Sequence, residues 1–235
     1  MGFSHTIFRL MNRLLSRNLI PALLAIWQLA AADAPAQTTP SRAFEAEIMG
    51  FERADKTRPP PHHPILFTGS SSIRKWTTLA LDFKGHHVIN RGFGGSQISD
   101  LIYYADRVVI RYQPQQIFFF AGSNDIDAGK TPEQVFDDFK AFVQKVRAAV
   151  PNVEMDYISI TTSPLRWREV EEVKKANGLI STWIKTQDHL TFIDVFPATL
   201  GEDGRPKPEY FLADRLHMNA RGYALWTSII EPYLK

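Results

Sequence analysis

The feature that most limits what this chain can become is an alternation. Five short apolar runs are separated by stretches with helical patterning. The runs are Ile65-Leu66-Phe67, His87-Val88-Ile89, Ile117 to Phe120, Met155 to Ile160 and Phe192 to Val195. Each is short enough for a buried strand, and none shows the strict apolar–polar alternation of a half-solvated one. The clearest helix begins at Thr131-Pro132-Glu133-Gln134. Thr131 suits the N-cap, Pro132 the first helical position, and Gln134 completes a capping box. Val135, Phe139, Val143 and Val146 then mark one buried face. Further helical patterns run near 98–111, 168–186 and 219–233, and Phe44, Ile48 and Phe51 suggest a short amphipathic helix before the first strand. Strands alternating with helices predict a parallel sheet covered on both faces. Such sheets place their chemistry at the carboxyl ends of the strands.

Length and composition fit one sizeable domain. The chain has 235 residues, of which 44% are hydrophobic and 22% charged, which argues against disorder or a fibrous chain. The net charge is +2, too small to point to nucleic acid as a partner. There is no cysteine, which excludes disulfides, thiolate metal sites and a cysteine nucleophile.

The first residues read as an export signal. Arg9, Arg13 and Arg17 precede an apolar run from Leu19 to Ala32, and Ala34-Pro35-Ala36 fits a cleavage site before Gln37. The alternative is an uncut membrane anchor, which the shortness of the run and its Pro21 and Gln28 disfavour. The expected organisation is therefore a signal peptide at 1–36, a linker and N-terminal helix at 37–63, and one domain at 64–235. The mature chain would be secreted or periplasmic, with no stable membrane span.

Small polar motifs sit at the predicted strand ends. Gly69-Ser70-Ser71-Ser72 follows the first strand, Asn90 to Gly95 the second, and Gly122-Ser123-Asn124-Asp125 the third. A fourth, Asp214-Arg215-Leu216-His217, precedes the last helix. Each alone is ordinary loop chemistry; together and in this order they are far more specific. Ser71 lies at a strand-to-helix turn and would need a neighbouring base to become a nucleophile. A helix cap is its bland reading, and Ser70 or Ser72 are the alternatives in register. His217 is the candidate base, since imidazole titrates near neutrality. Asp214, three residues earlier, can reach the ring, and Asn219 offers an N-cap that would set the turn. Gly95 allows close main-chain approach, and Asn124 supplies a neutral donor. The pairs His62-His63 and His86-His87 lack a ligand cluster, so no metal is expected, and no cofactor.

These four blocks resemble those of the GDSL/SGNH hydrolases, from about Phe44 to the last residue. The first block, Gly69 to Trp76, is similar to that of bacterial members reading G-S-S-S-I-R-x-W. The resemblance implies a three-layer α/β/α sandwich around a mostly five-stranded parallel sheet, flavodoxin-like in type. It implies ester hydrolysis through an acyl-enzyme, with Ser71, Asp214 and His217 as a triad. Ser71, Gly95 and Asn124 would form the oxyanion hole, with Asp125 supporting Asn124 or its loop. One departure is Ser70, where the family usually carries aspartate. The loop Ser163 to Trp167 would border the pocket, leaving Arg166 and Trp167 open between substrate contact and packing.

Other readings remain at this point. The substrate could be a small-molecule, lipid or carbohydrate ester, and a polysaccharide O-acetyl esterase is one alternative. A silent binding module on the same fold is another, although such a protein has no physical need of all five site residues. A nucleotide binder is disfavoured because the first loop lacks a Gly-x-Gly-x-x-Gly or P-loop pattern. Ile73 breaks the Gly-x-Ser-x-Gly elbow of the larger α/β-hydrolases. Neither acyl length nor oligomeric state is legible in these residues.

Overall fold

The computed structural model describes residues 42–235. The expected signal segment and the start of the linker lie outside the described residues. Five strands form one parallel sheet in the order β2-β1-β3-β4-β5. They are β1 (Ile65–Gly69), β2 (Val88–Gly92), β3 (Gln116–Phe120), β4 (Glu154–Ile158) and β5 (Leu190–Ile193). The helices are α1 (Glu45–Thr57), α2 (Ser71–Arg74), α3 (Leu79–Asp82), α4 (Ile98–Val108), α5 (Ser123–Asp127), α6 (Pro132–Ala149), α7 (Val170–Ile184) and α8 (Ala220–Ile230).

The sheet is buried on both faces because its strands are apolar at successive positions. Leu66, Ile117, Phe119 and Tyr157 face a core shared with α4, α6 and α7. Ile65, Phe67, Phe118, Phe120 and Ile158 face a second core under α2, α3 and α8, where Trp76 and Trp226 are fully enclosed. Stacked rings hold each layer: Phe67 lies 4.5 Å from Phe118, and Phe119 lies 4.4 Å from Phe142. Helix α6 starts as its sequence demands, with both halves of the Thr131–Gln134 capping box formed, and buries Val135, Phe139, Val143 and Val146.

Helix α1 is tied to the edge strand β2 by side chains. Ile48 is its fully buried residue, and Asp55 takes both the Arg91 guanidinium of β2 and the Tyr112 hydroxyl. Arg107 of α4 also reaches Glu45 and Glu52 on α1.

Every strand differs from its expected limits by one or more residues, and three of the differences matter most. The second strand begins at Val88 and includes Asn90, Arg91 and Gly92, which pair with Phe67, Thr68 and Gly69; the glycine-rich loop therefore starts at Phe93. The fourth ends at Ile158, because the Asn177 side chain of α7 binds both the N–H and the C=O of Ile160 at 2.9 and 2.8 Å. The fifth ends at Ile193, because the Ser159 hydroxyl accepts the N–H groups of Val195 and Phe196. In the last two cases a side chain does what a neighbouring strand would do.

Candidate active site

The segments that follow β1, β3 and β4 converge on one cleft. Strand β1 stops at Gly69, whose φ is +140°. A Cβ there would lie 1.9 Å from the Phe120 carbonyl oxygen, so only glycine fits. The chain then turns directly into α2, with Ser71 as the first helical residue. The first N–H groups of a helix have no intrahelical partner. Strand β3 ends in the same way: Gly122 has φ +117°, and a Cβ would meet Ile160 at 2.6 Å. Asn124 follows in α5.

His217 reaches this place from far along the chain. Its Nε2 lies 3.1 Å from Ser71 Oγ, and its Nδ1 lies 2.7 Å from Asp214 Oδ2. The other Asp214 oxygen accepts the N–H groups of Leu216 and His217. The imidazole bond, followed by those two backbone donors, holds the Asp214 carboxyl well below the usual carboxylate range. An ionised carboxylate accepts the Nδ1–H, which leaves the Nε2 lone pair directed at the serine hydroxyl. The turn itself is clamped. Leu212 N–H donates to His217 O, Asn219 N–H donates to Tyr210 O, and Asn219 Oδ1 caps α8 through Arg221 and Gly222. Tyr223 of α8 donates to Ser72 O at 2.9 Å, tying the histidine's helix to the serine's.

Asn124 is held from two sides. Its Nδ2 donates to Ser96 O at 3.0 Å, and its Oδ1 accepts from Arg166 Nη1 at 2.9 Å. One Nδ2 hydrogen is left over, and Asn124 lines the cleft beside Ser71 and His217. Arg166 also donates to Ser123 Oγ and is anchored by Asp127. Asp125 is fully buried. Its carboxylate accepts the Ile98 N–H and pairs with Lys130 at 2.8 Å. It thus supports the loop after β2 rather than Asn124 itself. Burial pushes the Asp125 carboxyl up, against the opposing pull of Lys130. Gly95 has φ +80° and open space where a Cβ would stand. It is exposed, one residue before the Ser96 that binds Asn124.

The cleft at Ser71 is small, about 30 Å³, and Phe211 and Met218 form its apolar side. The structure thus brings Ser71, His217, Asp214 and Asn124 together; Gly95 does not line the cleft and is linked to it only through its neighbour Ser96, whose carbonyl binds Asn124. Ser70 is buried, with its N–H donated to Phe120 O. The residue that the sequence left undecided is Arg166. Its position after β4, next to β3 in the sheet, is the only cue, and no spacing links 166 to 124. Two other histidines serve elsewhere: His63 binds the Gln113 carbonyl and His189 binds Glu154. Among the described residues no group of three or more His, Cys, Asp or Glu side chains could hold a metal. Nor is any described helix long and apolar enough to cross a membrane.

A serine, an imidazole and a carboxylate in this order, beside a spare amide donor at strand ends of a parallel α/β sheet, define a class of hydrolases. The GDSL-like lipase/acylhydrolase family matches residues 61–225, and the chain belongs to that family, whose members hydrolyse esters. No curated protein matches the chain significantly. Solved structures share its fold. A candidate platelet activating factor from Streptococcus pneumonia aligns with TM-score 0.74 and 22% identity, covering 94% of this chain and 100% of that one. A GDSL-like lipase from Bacteroides thetaiotaomicron aligns with TM-score 0.67 and 19% identity, covering 80% and 97%. A carbohydrate esterase family 3 protein from Talaromyces cellulolyticus aligns with TM-score 0.54 and 16% identity, covering 72% and 94%.

Proposed function

We propose that this ester hydrolase works through Ser71, His217 and Asp214, and that its acyl group is short. The observation that carries the reading is the contact of His217 Nε2 with Ser71 Oγ at 3.1 Å, with Asp214 on the far side of the ring. In the reaction, Nε2 takes the hydroxyl proton as Oγ attacks the ester carbonyl carbon. Negative charge then collects on the former carbonyl oxygen. The N–H groups of Ser71 and Gly95 and the free Nδ2 hydrogen of Asn124 stabilise it. Collapse breaks the carbon–oxygen bond to the alcohol, which leaves with the proton from Nε2. Water, activated by the same imidazole, releases the acid and restores Ser71. Asp214 stays ionised throughout and keeps the ring in one tautomer.

Arg166 is a positioning residue in this scheme. By holding Asn124 Oδ1 it turns the amide so that Nδ2 faces the cleft, and its charge polarises that amide toward stronger donation.

Cleft size supports a short acyl group. A water molecule needs about 10–15 Å³ of such space, and the cleft's about 30 Å³ suits an acyl group as small as acetyl. A carbohydrate O-acetyl ester is the natural polymer form of that substrate, and a carbohydrate esterase is among the structural neighbours.

A fluorophosphonate probe followed by peptide mass spectrometry tests the nucleophile. Label on Ser71 is expected; label on Ser70 or Ser72 moves the register, and a folded protein without label loses the triad. A nitrophenyl ester series should show kcat/KM falling steeply beyond acetate. We also propose export through residues 1–36. Intact-mass analysis of protein from its native host should find a chain beginning near Gln37, and a full-length cytoplasmic chain contradicts it.

A further inference from the structure

A second cavity, of about 230 Å³, is lined by residues adjacent in sequence to those that line the Ser71 cleft. Two loops build the partition and alternate their side chains across it. In the loop after β4, Ser163 and Arg166 line the cleft, whereas Pro164 and Trp167 line the cavity. In the turn before α8, Leu216 and His217 line the cleft, whereas Arg215 lines the cavity. The two loops are joined by Leu165 N–H donating to Arg215 O at 3.0 Å. Arg215 has φ +58°, a left-handed conformation that disfavours side chains other than Gly, Asn and Asp. The chain keeps an arginine there all the same.

The chemistry of this cavity differs from that of the cleft. Trp167 supplies an aromatic wall, and Arg205, Lys207 and Arg215 supply three cations against one carboxylate, Asp203. One oxygen of that carboxylate is engaged by the Arg205 backbone N–H at 3.0 Å. None of the three cations has a carboxylate within ion-pair distance among the described residues; Lys207 lies over the Tyr210 ring instead. Neighbouring arginines are treated otherwise. Arg166 and Arg168, which serve the loop itself, both pair with Asp127. Cations left without acids in a concave site beside an indole are arranged for an anionic ring, since a sugar face stacks on an aromatic plane while its acid meets the guanidinium groups.

We propose that this cavity is the subsite for the alcohol part of the ester, and that it takes an anionic sugar ring such as a uronic acid residue. The inference rests on the Ser71 reading above: the acetyl group enters the small cleft, the ring that carries it lies at the cleft mouth, and the next, charged ring of the same chain reaches over the partition to Trp167.

The test compares acetate release from O-acetylated polygalacturonate with release from its methyl-esterified, neutral form, with p-nitrophenyl acetate as a third substrate. The wild-type protein should favour the charged polymer about tenfold at low salt, and 0.5 M NaCl should shrink that preference. Arg205→Gln with Lys207→Gln should lower the charged-to-neutral ratio about fivefold, with an unchanged melting temperature as the check on folding. A wild-type ratio near one, or a preference that survives both substitutions, overturns the subsite. In that case continued release of nitrophenol leaves the Ser71 reading standing. If no nitrophenol is released either, the Ser71 reading falls and takes the subsite with it.

Discussion

Two side-chain amides stand at opposite ends of β3, and the fold treats them differently. Gln116 opens the strand and is fully buried. Its Nε2 donates to Asp156 Oδ2 and to Tyr233 O, both at 2.7 Å, and its Oε1 accepts the Lys235 N–H at 3.0 Å. Every polar group it has is used within the chain. Asn124, just beyond the strand's other end, spends its oxygen on Arg166 and one hydrogen on Ser96. Its other hydrogen has no partner among the described residues. The amino end of the sheet is satisfied and the carboxyl end incomplete, which is what the oxyanion role proposed for Asn124 requires, since a transition state can be stabilised only by donors that are not already taken.

The contrast is tested most severely at the incomplete end. Ser71→Ala and His217→Ala should each lower kcat by about 10⁴-fold or more, and the double variant should be little worse, because the residues act as a unit. Additive losses in steady-state kinetics would show that they do not.

A smaller effect is expected at the amide. Asn124→Ala should cost about 10²–10³ in kcat on an activated acetate ester. Arg166→Ala should cost about tenfold, carried by kcat rather than KM, and nothing further when Asn124 is already Ala. Arg166→Lys, which keeps the charge, should recover part of it. A full Arg166→Ala penalty in the Asn124→Ala background would mean that the arginine acts independently of the amide.

The satisfied end should respond in stability alone. Gln116→Ala strands a buried carboxylate, a carbonyl and an N–H, so denaturant unfolding should report a loss of about 2–4 kcal/mol, while kcat/KM of the folded enzyme stays within about twofold. A large kcat loss would show that the two ends are coupled.

The smallest effect concerns Asp156. Burial, only partly offset by the Gln116 hydrogen bond, pushes its carboxyl up to about 6. The unfolded chain releases this proton near pH ~4, earlier than the folded one. Stability from this group is therefore fully present below pH ~4 and lost as pH rises to about 6. Asp156→Asn should be more stable than wild type by about 1–3 kcal/mol at pH 7.5, and the difference should vanish near pH 4. A gain that is the same at both values would refute the assignment.

Much of this was legible in the residues themselves. Local chemistry decides local structure: the Thr131–Gln134 box, the apolar runs and Asn219 each act within a few residues, so α6, the strands and the start of α8 could be read directly. Their order also dictated a parallel sheet, because strands separated by helices cannot close as hairpins. Ser71, Asp214, His217 and Asn124 were visible as motifs at strand ends. What the sequence could not supply was anything carried by contacts between distant segments. The ends of β4 and β5 are set by Asn177 and Ser159, side chains whose targets no periodicity reveals. Arg166 reads as one more loop cation until β4 lies beside β3 and brings it to Asn124. The partition between the cleft and the cationic cavity exists only because residues 163–167 and 215–217, about fifty positions apart, hydrogen-bond to each other. Sequence determined which side chains were available at the carboxyl end of the sheet. Tertiary structure alone decided which of them are spent on each other and which are left for a substrate, since hydrogen-bond satisfaction depends on distance in space and not along the chain.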